Sequence, residues 1–319
     1  MKATDGGFLG TLFVNTKAAR MKMVLLLVGM LLLGVATFSS AAEPNVGELR
    51  AMIKKLEPLH KRLGRPAPGD WLASHEEDGQ TFDQYVASRP VTPTGKRRTI
   101  YIQPLGQFSA RQREIVRLTG DFMGLYFDRP VKIQKDLPLS VIPKEARRVH
   151  PQWDMPQILS TYVLDEVLEP RLPADAAAYL ALTASDLWPG AGWNFVFGQA
   201  SLRDRVGVWS LYRNGDAEGG ADAFRECLGR TLRTATHETG HMFSLQHCTL
   251  YECNMCGSNH REEADRYPLY LCPQCTAKLT WATGSDPVAQ SKKLADFCRK
   301  HGLGREEKYY TRAAKALSP

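Results

Sequence analysis

His237-Glu238-Thr239-Gly240-His241 places two imidazoles and a carboxylate at a spacing that a helix turns into one working surface. Residues four apart on a helix share a face and lie about 6 Å apart along its axis. Both imidazoles can then reach one ion at Zn–N distances of roughly 2.0–2.1 Å. Glu238 is turned about 100° from His237, so it stands beside the metal rather than on it. A carboxylate there can take a proton from a zinc-bound water. His247, six residues past His241, supplies a third nitrogen and leaves a fourth position open. That opening marks a catalytic zinc site, because structural sites are closed.

Cysteines follow at once. Cys248 and Cys253 form one pair, Met255 comes two residues later, and Cys272 and Cys275 form a second pair. Two such pairs are the ligand set of a closed tetrahedral zinc. The expectation is two zinc ions per chain. His247 and Cys248 are neighbours, and neighbouring side chains of an extended segment point to opposite sides, so one segment can serve both ions. Disulfide pairing of the four cysteines is the alternative in an exported chain.

The stretch HETGHMFSLQHC, with Cys253, Met255 and the later CxxC, resembles the archaemetzincins, a family of the metzincin clan of zinc peptidases. Their signature is HExxHxxGxxHCx4CxM followed by CxxC. The likeness extends to Asp186-Leu187-Trp188-Pro189 and to Trp193–Ser201, and covers about residues 97–300. One position departs. Ser244 stands where the family has the glycine that lets the chain turn sharply toward the third histidine, and serine in a left-handed conformation costs of order 1–2 kcal/mol. The resemblance implies a metzincin-like zincin domain with a mixed twisted sheet, a long zinc-binding helix and a second zinc site made of four cysteines. It implies peptide or protein substrates, with aminopeptidase action as one mode. It also puts Met255 in a turn beneath the catalytic zinc, as structural support. His260, Glu262 and Glu263 follow that turn, where metzincins wall the pocket for the residue after the scissile bond. With Asp186 and Trp193 they are weaker substrate-site candidates, each equally readable as a surface residue.

The elements that must hold these groups follow from hydrophobic period. Val46, Leu49, Met52, Ile53, Leu56, Leu59 and Leu63 repeat at helical spacing over 45–63, and Arg65-Pro66-Ala67-Pro68-Gly69 ends that helix. Residues 70–96 are polar and turn-rich. A strand at Thr99–Ile102, a helix over 109–127, a strand at Val131–Ile133, an insertion loop over 135–155 and a helix over 157–168 follow. Short apolar runs at 179–183, 195–198 and 206–210 read as strands. A long helix over 221–243 carries the histidines, and 286–301 is helical again. This order predicts α/β or α+β layering around a mixed sheet. The organisation reads as 1–42 signal peptide, 43–96 helical accessory region, 97–300 metallopeptidase-like domain and 301–319 C-terminal tail.

The 319 residues are 43% hydrophobic and 24% charged, ordinary for a globular protein with a full core. The net charge is +7, but residues 1–42 carry four basic side chains and one acid, leaving +4 for the rest. Met21-Lys22-Met23, the apolar run Val24–Val35 and the small residues ending at Ala42 read as an export signal, with Met21 as an alternative start. The run is short for a span of about 20 residues. The expectation is an exported, periplasmic or secreted protein with no stable membrane insertion after cleavage. The alternative is a membrane anchor over 24–38. Cys227, Cys256 and Cys298 are left over, an odd number, with Cys227 and Cys298 in helical patterns.

These residues support a zinc-dependent peptidase with Glu238 as proton acceptor. One rival is a zinc-binding scaffold or peptide-binding protein with little turnover, favoured only by Ser244. A nucleic-acid-binding zinc ribbon is the other, and it would want clustered Lys and Arg near the cysteines. Residues 248–275 instead hold Glu252, Glu262, Glu263 and Asp265 against Arg261 and Arg266, which excludes that class.

Overall fold

The computed structural model describes residues 45–93 and 95–319, which fall in a single unit. The expectations for 1–42, signal peptide and anchor alike, lie outside the described residues. No helix among those described is long and apolar enough to cross a membrane.

The chain opens with α1 (Val46–Leu56), capped by the Asn45 side chain on Gly47 N–H. Two short helices follow, α2 (Trp71–Ser74) and α3 (Phe82–Ala87). Then come β1 (Thr99–Leu105), α4 (Ala110–Phe127), β2 (Val131–Ile133), β3 (Arg147–Val149) and β4 (Pro156–Leu159). Ser109 and Gln112 form a capping box that starts α4. A helical stretch begins as α5 (Ser160–Tyr162) and widens over Val163–Leu168. Next are β5 (Ala176–Thr183), β6 (Asp186–Trp188), β7 (Gly198–Ala200) and β8 (Val206–Ser210). Five helices close the chain: α6 (Ala221–Met242), α7 (Arg261–Arg266), α8 (Pro273–Thr283), α9 (Pro287–Lys300) and α10 (Gly304–Leu317).

The main sheet has order β2-β1-β5-β8-β7. Its first four strands are parallel, and β7 pairs antiparallel with β8 at the edge. A second sheet, β3-β4-β6, is also mixed. The fold is therefore α/β (α+β) around a mixed sheet, as the element order implied. β1 and β5 are buried along their whole length. Ile100, Ile102, Leu180 and Leu182 enter the core beneath α4 and α6, while Tyr101, Leu105, Tyr179 and Ala181 face the segment containing α5. This two-sided burial is what a parallel sheet requires.

Five expectations differ from the structure. The helix expected over 45–63 ends at Leu56, with one 3-10 turn over Glu57–Leu59, because Pro58 has no N–H to continue it. Residues 157–168 are not one helix: Gln157 and Ile158 pair with Asp186 and Leu187 before the helical turns begin at Ser160. The loop expected over 135–155 contains β3, paired to β4. The strand expected at 195–198 starts only at Gly198, because Phe195 and Phe197 turn to lie under the guanidiniums of Arg213 and Arg261. Residues 301–319 are no free tail: Tyr309, Tyr310, Ala313 and Ala314 bury one face of α10 against α9 and α1.

Candidate metal centre and cleft

Helix α6 carries the first two histidines, and its end delivers the third. Ser244 adopts φ 62°, the left-handed conformation expected of the glycine it replaces. Its N–H donates to His241 O at 2.8 Å, and Leu245 N–H donates back to Gly240 O at 3.1 Å. These two bonds are a Schellman ending, and they swing the chain toward His247. The serine hydroxyl works in this turn: it accepts Val91 N–H at 3.0 Å and donates to Leu202 O at 3.2 Å.

His237, His241 and His247 bring one ring nitrogen each within 4.8 Å of the others. The Nε2 atoms of His237 and His241 are 3.0 Å apart. Every Nδ1 is engaged elsewhere: His237 with Asn254 O at 2.8 Å, His241 with Leu245 O at 2.7 Å, His247 with the Glu77 carboxylate at 2.9 and 3.0 Å. Such partners fix ring orientation and leave the opposite nitrogen for a metal. Burial, then repulsion from His247, pulls His237 down to about 3, and burial with its two histidine neighbours holds His241 well below the usual range. Both rings are thus kept in the neutral, ligating form. Three converging imidazoles, each with one ring nitrogen turned to the others, fit zinc.

Glu238 lies beside them and is 6% exposed, its pKa pushed up to about 8 by burial. A Cβ on Gly198 would sit 2.6 Å from Glu238 Oε1, so only glycine lets β7 approach this carboxylate. Met255 packs under the same helix. A Cβ on Gly240 would meet its Sδ at 2.7 Å, which makes Met255 a floor for the turn carrying Glu238 and His241.

Cys248, Cys253, Cys272 and Cys275 form a second cluster, fully interior, with all four Sγ within 4.8 Å. All seven cysteines are free. Cys248 and Cys272 lie 3.6 Å apart, close to the separation of about 3.8 Å between sulfurs around a tetrahedral zinc at 2.3 Å. Hydrogen bonds, first from Cys253 and then from Cys256, Cys272 and Cys275, draw the Cys248 thiol well down toward thiolate. Cys272 caps α8, accepting Cys275 N–H. Cys248 N–H donates to Met255 O at 2.8 Å, so the methionine turn touches both clusters.

A cleft of about 610 Å³ runs past the histidines, lined among others by Trp71, Trp193, the 195–200 segment, Arg233 and Arg261. Trp193 stands at its rim, 44% exposed, with ring centroids 6.1 Å from His75 and 6.4 Å from Trp71. The other weaker candidates lie outside it. Asp186 is buried, bound by Arg213 at 2.7 and 2.8 Å and by Gln157 at 2.7 Å. Glu263 is buried, accepting the N–H groups of Trp71 and Asn259 and the hydroxyl of Tyr267. His260 caps α7 and faces Asp70 and exposed Glu262. Glu263 and His260 tie the 69–75 segment to the loop after the methionine turn.

Sequence reasoning missed Glu77. Burial works against its ionisation, but bonds from His247 and Trp71 outweigh this and hold the carboxyl below its usual range. Nothing marks it in the polar run His75-Glu76-Glu77-Asp78, because its partner is 170 residues away. Arg233 was also missed, although its place one helical turn before His237 was readable.

A model described as peptidase family M54 matches residues 165–281. Archaemetzincin-2 of Homo sapiens is 35% identical over 285 residues, 78% of this chain and 78% of its own length. Archaemetzincin-1 of Homo sapiens is 27% identical over 257 residues, 70% of this chain and 51% of its own. The solved archaemetzincin of Methanopyrus kandleri is 27% identical and aligns with 60% of this chain and 99% of its own, at a TM-score of 0.47. With 35% identity to human Archaemetzincin-2 over 78% of both chains, and with the histidine and cysteine clusters in place, the chain belongs to the archaemetzincin family of zinc metallopeptidases.

Proposed function

We propose that the chain hydrolyses peptide bonds at the three-histidine site, with Glu238 as general base and then general acid. The convergence of three oriented imidazoles beside one buried carboxylate carries this reading. When bound by His237, His241 and His247, zinc supplies Lewis acidity that lowers the pKa of water toward 7 and polarises a carbonyl. Glu238 takes the proton of the attacking water and passes it to the leaving amine. Edge strand β7 lines the cleft and offers main-chain groups to an extended peptide. Cys248, Cys253, Cys272 and Cys275 hold a second, structural zinc, making two per chain.

The resemblance also implied aminopeptidase action. That mode needs an anion for the substrate's amino terminus. Among the described residues that line the cleft, Glu238 is the one carboxylate, and the chemistry uses it. We therefore propose that a free amino terminus is not required, which acetylated and free forms of one peptide will test by equal cleavage. Export is proposed on the sequence of residues 21–42 alone.

The central test is Glu238→Gln in zinc-loaded protein. Hydrolysis should fall by at least about 10²-fold, the scale for a positioned general base, while zinc content stays at the wild-type level. Turnover close to wild type would remove Glu238 from the mechanism.

A further inference from the structure

The cleft wall carries more positive charge than its surroundings neutralise. Arg230, Arg233 and Arg261 converge on a single carboxylate, Asp265. Arg230 takes the closest share: its Nη2 lies 2.5 Å from Asp265 Oδ2 and also meets Glu226. The two arginines that line the cleft are left with Asp265 Oδ1 at 3.3 Å for Arg233 and 3.8 Å for Arg261. Arg233 spends Nη1 on Asp265 and on Ala264 O, at the end of α7. Among the described residues no hydrogen bond reaches its Nε, which is buried, and none is made by its Nη2. Arg261 uses Nη2 on Arg213 O and Asn214 Oδ1, lies over the Phe197 ring, and likewise has a buried Nε without a partner. A buried donor without a partner is costly, and more so when it is charged. Arg233 thus keeps a whole Nε–Nη2 edge, the fork that a carboxylate fills with two parallel bonds, while Arg261 beside it adds its charge and one Nε donor.

We propose that Arg233 and Arg261 form a specificity subsite that binds a carboxylate of the peptide substrate within about two residues of the scissile bond. The distance follows from the helix. Arg233 precedes His237 by one turn, about 6 Å along α6, and an extended peptide advances about 3.3 Å per residue. The carboxylate has two chemical sources, an Asp or Glu side chain or the peptide's own C-terminus. The inference rests on the peptidase reading above.

The test uses full-length, zinc-loaded protein and matched peptides that differ only in Asp/Glu against Asn/Gln at each position flanking the bond. A second set compares free with amidated C-termini close to the bond. Wild-type kcat/KM should favour the carboxylate member of one set by at least about tenfold, the scale of a charge-assisted bidentate contact. The set that responds identifies the source. In Arg233→Gln and Arg261→Gln that ratio should collapse toward one, whatever the absolute rate of either variant. Equal wild-type rates for carboxylate and amide peptides, or a ratio retained in both variants, overturns the proposal. If the wild type cleaves no peptide, calorimetric binding of the same pairs to zinc-loaded Glu238→Gln protein separates the two readings. Tighter binding of the carboxylate member keeps the subsite while the peptidase reading fails, and equal binding removes the subsite as well.

Discussion

Glu77→Gln should weaken zinc binding at the histidine site by about 10- to 100-fold, the usual effect of losing a partner behind a ligating histidine. His237 and His241 are rigid members of α6, and their Nδ1 partners are backbone carbonyls that no side-chain change removes. His247 instead lies in the segment after the helix, and its ring is aimed by the Glu77 carboxylate at 2.9 and 3.0 Å. A tenfold to hundredfold loss equals about 1.4–2.7 kcal/mol, within the range of one hydrogen bond to a charged group. The Glu77 side chain is 27% exposed, so solvent screening favours the lower half of that range. Zinc-loaded wild-type and variant proteins would be titrated with a chelator while released zinc and the unfolding temperature are followed. The first zinc should leave the variant at a lower chelator concentration, with the second zinc unchanged. Activity should fall at limiting zinc and recover in excess. Wild-type release of the first zinc from both Glu77→Gln and Glu77→Ala would refute the argument.

Ser244→Gly removes left-handed strain of about 1–2 kcal/mol but also two hydrogen bonds of about 1 kcal/mol each, so denaturant unfolding should place it within about 1 kcal/mol of wild type. Ser244→Ala keeps the strain and loses the bonds, and should be the less stable of the two; the reverse order would disprove the offset. Changing Cys272 and Cys275 together to Ser should remove one zinc per chain by metal analysis, lower the unfolding temperature and reduce activity without touching a histidine. Burial alone would raise the Asp265 pKa, but bonds and charge from Arg230, Arg233 and Arg261 win and hold it below normal. Its stabilisation is therefore present above about pH 4, the ordinary carboxyl range, and is lost as pH falls through the depressed folded value. Asp265→Asn should flatten that acidic limb in a stability–pH series, and an unchanged limb would exclude the ion cluster as its cause.

The two metal-ligand clusters were legible because their spacing is local. Four residues on a helix place His237 and His241, and two between Cys272 and Cys275 at the start of α8 place that pair, without knowledge of the fold. The parallel strands were legible for a related reason: burial on both faces makes them apolar runs. Residues 157–168 misled because the stretch from Ser160 on is helical, while strand pairing of Gln157 and Ile158 with β6 is decided by a neighbour far along the chain. α10 hid in a stretch with six charged residues, since a helix with one apolar face reads as polar on average. Glu77 belongs to the same class: its meaning lies in a contact across the chain, and composition carries no trace of it.

The turn around Asn254 has a thermodynamic consequence. Asn254 O orients His237, its neighbour Cys253 is in the sulfur cluster, and Met255 O holds the backbone of Cys248, which adjoins His247. Each cluster therefore borrows part of its order from the other. Whatever factor occupancy of the sulfur cluster adds to affinity at the histidines, occupancy of the histidines must return to the sulfurs, because linkage between two binding equilibria is reciprocal. Metal loss would then be cooperative. With two ions bound as proposed, loss of the exchangeable one would loosen the grip on the permanent one, and prolonged zinc shortage would threaten the fold as well as turnover.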